Sequence, residues 1–340
     1  MLQFSFQTMT TEAHISFQAE AGVPVAAEQI RARVEAGVKE VVDLMGPGGE
    51  VSDVKRLNDS PPGQWVQLNP RTWQVFQEAR LWHGFSCGAF DPTSGAIKKM
   101  FIFEGGFLLK WPEERRLDEA AALVGLDKIM VRPEDRSLAL TRIGQRLDLG
   151  AIAKGYAVDR AAEILLENGV KNGLVEIGGE IRVLGLHPGP PPRPWRIGLE
   201  DPLSGGNTKF KLELSNAAVA ASSGLNRFFT YEGRRYSHII DPRASRPLPG
   251  KTLGVTVAHP SSCMTADALS TALWILGPEE GRLCLERYQA ARGPEAPGTQ
   301  AVVFSLNRNG AGEGLFLSID EKGVSTRPLD FNSASPQNKF

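Results

Sequence analysis

A chain of 340 residues, 41% hydrophobic and 23% charged, is long enough for a sizeable core and has the composition of a globular protein in water. Its 38 Lys and Arg nearly balance 39 Asp and Glu, so the formal net charge of −1 excludes a protein-wide basic field for nucleic acid or an anionic membrane. Three widely spaced cysteines, Cys87, Cys263 and Cys284, exclude a CxxC zinc site and a disulfide scaffold and suit a reducing compartment.

The start, MLQFSFQTMTTEAHISF, has no basic n-region, long apolar core or small-residue cleavage site, and no apolar run reaches membrane-spanning length. The expected location is the cytoplasm, or the periplasm if a leader has been removed. Partial alternation over residues 3–19 predicts one or two strands around Met9 and Thr10. Ile30, Val34, Val38, Val41 and Val42 recur at helical spacing between Ala26 and Leu44, and GPGG stops that helix. A helical piece follows from Val54 to Asn58 with Ser52 as N-cap, then a short strand WVQLN, then a long helix opened by Pro70. SCGAFDPTSG is a turn-rich loop centred on Asp91, Asp118 to Val124 a short helix, and Lys128–Val131 with Ser137–Thr141 a hairpin.

The stretch LDLGAIAKGYAVD, Leu147 to Asp159, organises the middle of the chain. It predicts a strand feeding the N-terminus of a helix that runs from about Ala153 to Glu167 and stops at Asn168 and Gly169. Free N–H groups near Gly150 and Ala151, the helix dipole and the charge of Lys154 together suit an anion, with Asp148 supplying the opposite sign nearby. An ordinary strand-to-helix turn with an exposed lysine fits the same residues. GLVEIGGEIRVLG then reads as two strands joined by Gly178 and Gly179. After a proline-rich spacer at residues 187–195, strands dominate: WRIGLE, TKFKLEL, AVAAS, FFTYEG, RRYSHIID and GVTVAHP. A helix from about Met264 to Leu276, a closing strand pair and a polar, frayed tail from Arg327 complete the chain. Mixed strands and helices without βαβ alternation predict an α+β fold of mainly antiparallel sheets with packed helices, a single domain over 1–328, undivided or built of two subdomains that meet at the ligand site, with a flexible tail at 329–340.

Several polar groups have the types a site needs, and each also has a plainer structural explanation. Asp267, Ser270 and Thr271 share one helix face as hard oxygen donors of the kind Mg²⁺ accepts beside phosphate, or simply as small residues in a close helix contact. His238, before the turn at Asp241, is a general base or a hydrogen-bonded strand histidine. Ser222 to Gly224 can form a phosphate-binding loop or a turn. GAFDPT, Gly88 to Thr93, offers Phe90 to a ring and Asp91 to hydroxyls or amines, or forms an Asx-Pro turn. Asn58 is a helix C-terminal residue or a ligand contact. Walker-type, GxGxxG and GxSxG patterns are absent.

Taken in order between Met9 and about Gly281, the Met–Thr start, SDVKRLN, GAFDPT, LDLGAIAKGYAVD, LVEIGGEI, SSG, YSHIIDP and TADALSTA resemble the ApbE family, the FAD:protein FMN transferases. The resemblance implies an ApbE-like, T-fold-like architecture with FAD as substrate and Mg²⁺ on its pyrophosphate. It implies side-chain metal ligands at Asp267 and Thr271, a main-chain one at Ala151, and Ser270 beside them. Met9, Asn58, Ala89, Phe90, Asp91, Asp148, Lys154, His238 and Ile239 would contact FAD. The implied partner is a flavoprotein whose Thr or Ser hydroxyl takes FMN as AMP leaves, with Asp267, Lys154 and His238 carrying the chemistry and His238 as the base.

The sequence departs from the family's pattern in places. MTT replaces the usual MGT, Ala151 stands for a second glycine, and Glu180 occupies a position where aspartate is common. The segment after Gly95 lacks the usual loop, which leaves the acceptor open. A metal-dependent FAD pyrophosphatase and a non-catalytic FAD-binding protein are the alternative readings of the same residues.

Overall fold

The computed structural model describes residues 1–18, 27–49, 51–104, 107–202, 208–223, 228–249, 252–293, 298–306, 311–320 and 322–329. Ten side chains within these segments, among them that of His238, fall outside the description. The chain opens with the hairpin of β1 (Leu2–Thr8) and β2 (Thr11–Phe17), closed by a two-residue loop in which Met9 and Thr10 have φ of 48° and 62°. Loops of this kind match the twist of their strands and favour glycine or asparagine. A β-branched threonine is strained there. Thr10→Gly is expected to stabilise the fold by about 1 kcal/mol, seen as a higher denaturant midpoint at unchanged slope. An unmoved or lower midpoint would show that the loop holds no such strain.

Helix α1 (Ala27–Met45) buries Ile30, Val34, Val38 and Val41, as their spacing predicts. Ser52 caps α2 (Asp53–Asp59) by accepting the Lys55 N–H, and Asn69 caps α3 (Pro70–Phe85), with β3 (Val66–Gln67) between them. One turn, α4 (Gly95–Lys98), and a small hairpin of β4 (Phe103–Glu104) and β5 (Phe107–Leu108) follow. Next comes α5 (Glu114–Ala121). It begins before the expected Asp118 start because Leu117 and Ala120 are its buried face; Leu123 and Val124 fall in the turn beyond it. The predicted hairpin is β6 (Ile129–Arg132) with β7 (Ser137–Leu140), joined to β3 in a three-stranded sheet.

The central helix is α6 (Ala153–Glu167), followed by β8 (Gly173–Ile177) and β9 (Glu180–Leu184) around a turn with Gly178 and Gly179 at φ 61° and 98°. β10 (Trp195–Glu200) and β11 (Thr208–Leu214) form a hairpin, and β12 (Ala217–Ser223) follows. A second three-stranded sheet contains β13 (Phe228–Tyr231), β14 (Arg234–Asp241) and β15 (Arg246–Pro249). The last elements are β16 (Thr252–His259), α7 (Cys263–Arg292), β17 (Gln300–Leu306), β18 (Gly312–Asp320) and β19 (Gly323–Pro328).

Nine strands form one antiparallel sheet in the order β1-β2-β8-β9-β12-β16-β17-β18-β19. Strand alternation divides its side chains between two cores. Ala218, Ala220, Val255, Val257, Ala301 and Val303 face α1, α6 and α7, whereas Val219, Ala258, Val302 and Phe304 face the β10–β11 hairpin. The mainly antiparallel α+β expectation therefore holds.

Two local expectations need correction, and a third gains a continuation. Residues 147–149 form no strand: Arg146 makes a single bridge to Ser94, and Leu147 is held by the Asn58 side chain instead of a ladder. The helix expected from about Met264 to Leu276 does end there, because Gly277 leaves helical geometry (φ 67°); Pro278, well suited to a first helical turn, then opens a second helical run to Arg292, so α7 is two helices meeting at a kink. Arg327 is not in a frayed tail: in β19 it pairs with Phe316 of β18, and Leu329 is buried; residues 330–340 lie outside those described.

Candidate active site

A cavity of about 410 Å³ opens where α6, α7, β9, β12 and β14 meet the loop that follows α3. Ala89, Phe90, Asp91, Asp148, Ala151, Lys154, Ile239, Asp267 and Thr271 all line it. Residues scattered over most of the chain are thus gathered at one place. Asn58 does not line the cavity, yet it shapes the wall. Its amide donates to the Leu147 carbonyl at 2.9 Å and accepts the Leu147 N–H at 2.7 Å, replacing the ladder bonds that a strand would have made. Met9, in the β1–β2 turn, is half-buried and is not among the lining residues.

The Gly150 N–H is not free: it donates to Asp148 Oδ1 at 2.7 Å, while Asp148 Oδ2 accepts from Lys98 at 2.7 Å. Burial works against the Asp148 charge, but Lys98 and the Gly150 N–H outweigh it and hold the carboxyl below its ordinary range. Asp91 is similarly occupied, accepting the Thr93 N–H and hydroxyl on Oδ1 with the His83 imidazole 3.4 Å from Oδ2. The loop thus holds itself in shape before any ligand enters.

At the floor, α6 and α7 approach closely because Gly155 has no side chain; a Cβ there would lie 2.3 Å from the Cys263 carbonyl oxygen. This approach places Asp267 Oδ2 2.9 Å from the Gly155 N–H, in the first turn of α6. Asp267 is 4% exposed, and burial raises its pKa despite Lys154 and that N–H. Lys154 is paired with Glu180, which the glycine turn delivers to the head of β9. Burial first, then the charge of Asp267, pushes Glu180 up to about 8 against the pull of Lys154. Ser270 points elsewhere: its hydroxyl donates to the Asp267 carbonyl and meets the Ser222 hydroxyl at 2.8 Å, fully buried outside the cavity lining.

The model of the ApbE family matches residues 9–292. The chain belongs to the ApbE family. Among curated proteins, it is 31% identical over 290 residues to an FAD:protein FMN transferase of Vibrio cholerae, covering 85% of each chain. It is 30% identical to one of Haemophilus influenzae, covering 86% of this chain and 85% of that one. Among solved structures, the flavin transferase ApbE from Vibrio cholerae superposes with a TM-score of 0.79 at 26% identity over 97% of both chains. The ApbE protein from Thermotoga maritima does so with 0.76 at 28%, over 92% of this chain and 96% of that one.

Within this ApbE-family cavity, Glu180 and Lys98 complete the set of charged lining residues but were not singled out as site residues. Glu180 carried a signal, a glycine pair just before an acidic strand residue. Lys98 carried none, since its pairing with Asp148 spans fifty positions of chain. Ser222 and Ser223 line the cavity as the SSG stretch allowed, and Gly224 lies outside the described residues. The backbone of His238 runs in β14 between Ser237 and the lining residue Ile239, but its side chain is outside the description.

Among the described residues, no three His, Cys, Asp or Glu side chains are grouped to hold a metal by themselves. The donors at the floor instead suit a hard cation that shares its shell with a ligand: the Asp267 carboxylate, the Thr271 hydroxyl and the Ala151 main chain. An unpartnered buried oxygen, Glu180 Oε2, lies in the same lining and adds to that fit.

Proposed function

We propose that the cavity binds FAD with Mg²⁺ and that the chain transfers FMN from it to a threonine or serine hydroxyl of an acceptor flavoprotein, releasing AMP. The observation that carries the metal part is the acidic floor: Asp267 and Glu180 lie together in the lining, burial raises the pKa of both, and Glu180 Oε2 has no hydrogen-bond partner. Both carboxyl groups ionise beside a pyrophosphate only if a cation compensates their charge. The names of the similar proteins support the transferase part.

Asp267, Thr271 and the Ala151 main-chain oxygen would hold the ion, with Ser270 fixing the turn that carries Asp267. When bound, Mg²⁺ neutralises charge on the phosphate oxygens as it builds up. Lys154, in the first turn of α6, adds a positive charge where the helix dipole already favours phosphate. Phe90, Ala89 and Ile239 would give the flavin or adenine an apolar wall, Asn58 supports that wall through Leu147, and Met9, outside the lining, would reach FAD from the β1–β2 turn. The acceptor oxygen forms a bond to the FMN-side phosphorus, the bond from that phosphorus to the AMP phosphate breaks, and His238 is assigned the hydroxyl proton. Among the described residues, no helix is long and apolar enough to cross a membrane.

The test follows AMP release from FAD with and without Mg²⁺ and an acceptor segment containing threonine. AMP matched by an acceptor mass gain of one FMN supports the transferase. AMP with free FMN and an unmodified acceptor indicates a pyrophosphatase, and FAD binding without AMP indicates a binding protein.

The cation-free site also has a pH signature. Glu180 ionises near 4.5 when unfolded and near 8 when folded, so between these values the folded state holds the extra proton. Its contribution to stability is complete below the lower value and is lost as pH rises through the upper one. Without Mg²⁺, Glu180→Gln is therefore expected to gain stability relative to the parent as pH rises from about 5 to 8, measured by parallel denaturant titrations. A pH-independent difference would remove the shift.

A further inference from the structure

We propose that Glu180 is a second anionic member of the cation site: Oε1 holds the Lys154 ammonium, and Oε2 faces the coordination shell of the ion. This rests on the reading of the cavity as an Mg²⁺ and FAD site. The inference begins with an imbalance. Of the four carboxylates that line the cavity, Asp148 is bound at both oxygens, by the Gly150 N–H and Lys98. Asp91 has Thr93 on Oδ1 and His83 near Oδ2. Asp267 takes the Gly155 N–H. Glu180 is 1% exposed, and its Oε2 is buried without a hydrogen-bond partner in the structure.

A carboxylate oxygen without a partner in a buried place is costly, so the group keeps a proton until something positive takes its place. The lysine on Oε1 does not relieve it, because Lys154 is shared with a site that also holds Asp267. What would relieve it is a positive ligand or a water polarised by one, and Mg²⁺ characteristically retains several waters when it binds. The tight two-residue β8–β9 loop, with positive φ at both glycines as such loops require, sets Glu180 at the head of β9 beside the floor. Glu180 thereby couples the two positive groups that meet the phosphates. It orients Lys154 with one oxygen and draws the cation with the other.

The test titrates Mg²⁺ at fixed FAD without acceptor and reads the Mg²⁺ concentration giving half of the FAD-dependent rise in unfolding temperature. Glu180→Gln keeps an oxygen for Lys154 but removes the charge, and it is expected to need at least about tenfold more Mg²⁺. Glu180→Asp, which restores the carboxylate, should recover part of that loss; a purely structural role would move the ligand-free unfolding temperature and leave the Mg²⁺ midpoint in place. Should Glu180→Gln not fold, Glu180→Ala is read in the same way. A parent that responds to Mg²⁺ with an unmoved midpoint in the variant overturns the role of Glu180 and leaves the metal reading intact. A parent without any Mg²⁺ response overturns the metal reading itself.

Discussion

Asp267→Asn is expected to leave the fold intact and to lower FMN transfer at least about a hundredfold. The amide is the same size as the carboxylate and can still accept the Gly155 N–H, the 2.9 Å bond that ties α7 to the first turn of α6. What disappears is the negative charge at the floor of the cavity, where Thr271 and Ala151 offer only neutral oxygens to a cation. The defect should appear chiefly as a raised Mg²⁺ requirement, and raising Mg²⁺ should recover part of the rate. Asp267→Ala should be worse, since it also strands the Gly155 N–H inside the helix contact. The pair of variants separates charge from hydrogen bonding. Transfer by Asp267→Asn at the parent's rate and ordinary Mg²⁺ would remove Asp267 from the metal site.

The sequence made the helices and most of the hairpins legible for a local reason: their apolar periods and caps lie within a few residues of one another. Ser52, Pro70 and the glycine pair at 178 and 179 each mark an element end by chemistry that acts on their own neighbours. The stretch Leu147 to Gly150 misled because an extended segment looks the same whether its N–H and C=O groups meet another strand or, as here, a side chain from α2. The edge strands β15 and β19 are short or polar, and β15 contains prolines, so neither carries the alternation that identifies a half-buried strand.

The candidate site was readable as a set of residues and not as a network. Asp148 and Lys154 were foreseen as ligand contacts, yet each is bound within the protein, Asp148 to Lys98 and Lys154 to Glu180. Side chains that hold a cavity open have the same types as those that hold its ligand. Only the partner atoms distinguish them, and those come from distant parts of the chain.

The largest effect on stability is expected from the last residue of the central stretch. Asp159 is 6% exposed and serves three structures at once. Its carboxylate accepts the Cys263 N–H at 2.9 Å, the Met264 N–H at 3.0 Å and the Ser262 hydroxyl at 3.1 Å, and it pairs with Arg182 at 2.6 Å. Ser262 in turn accepts the Thr265 N–H, so the two side chains together satisfy the first turn of α7, whose N–H groups have no partners within the helix. Asp159→Ala leaves two buried N–H groups and a largely buried guanidinium unpaired, at a cost of about 3–5 kcal/mol. Asp159→Asn should lose less, because the amide oxygen retains one acceptor. Since α7 carries Asp267 about one turn and Thr271 about two turns farther on, a loosened first turn also moves the proposed metal ligands relative to α6. Transfer by Asp159→Ala should therefore fall by more than the fraction of protein that denaturant titration shows to be unfolded. A loss of under about 1 kcal/mol would mean that water or the Ser262 cap alone satisfies the turn and that Asp159 is not what fixes α7 against α6.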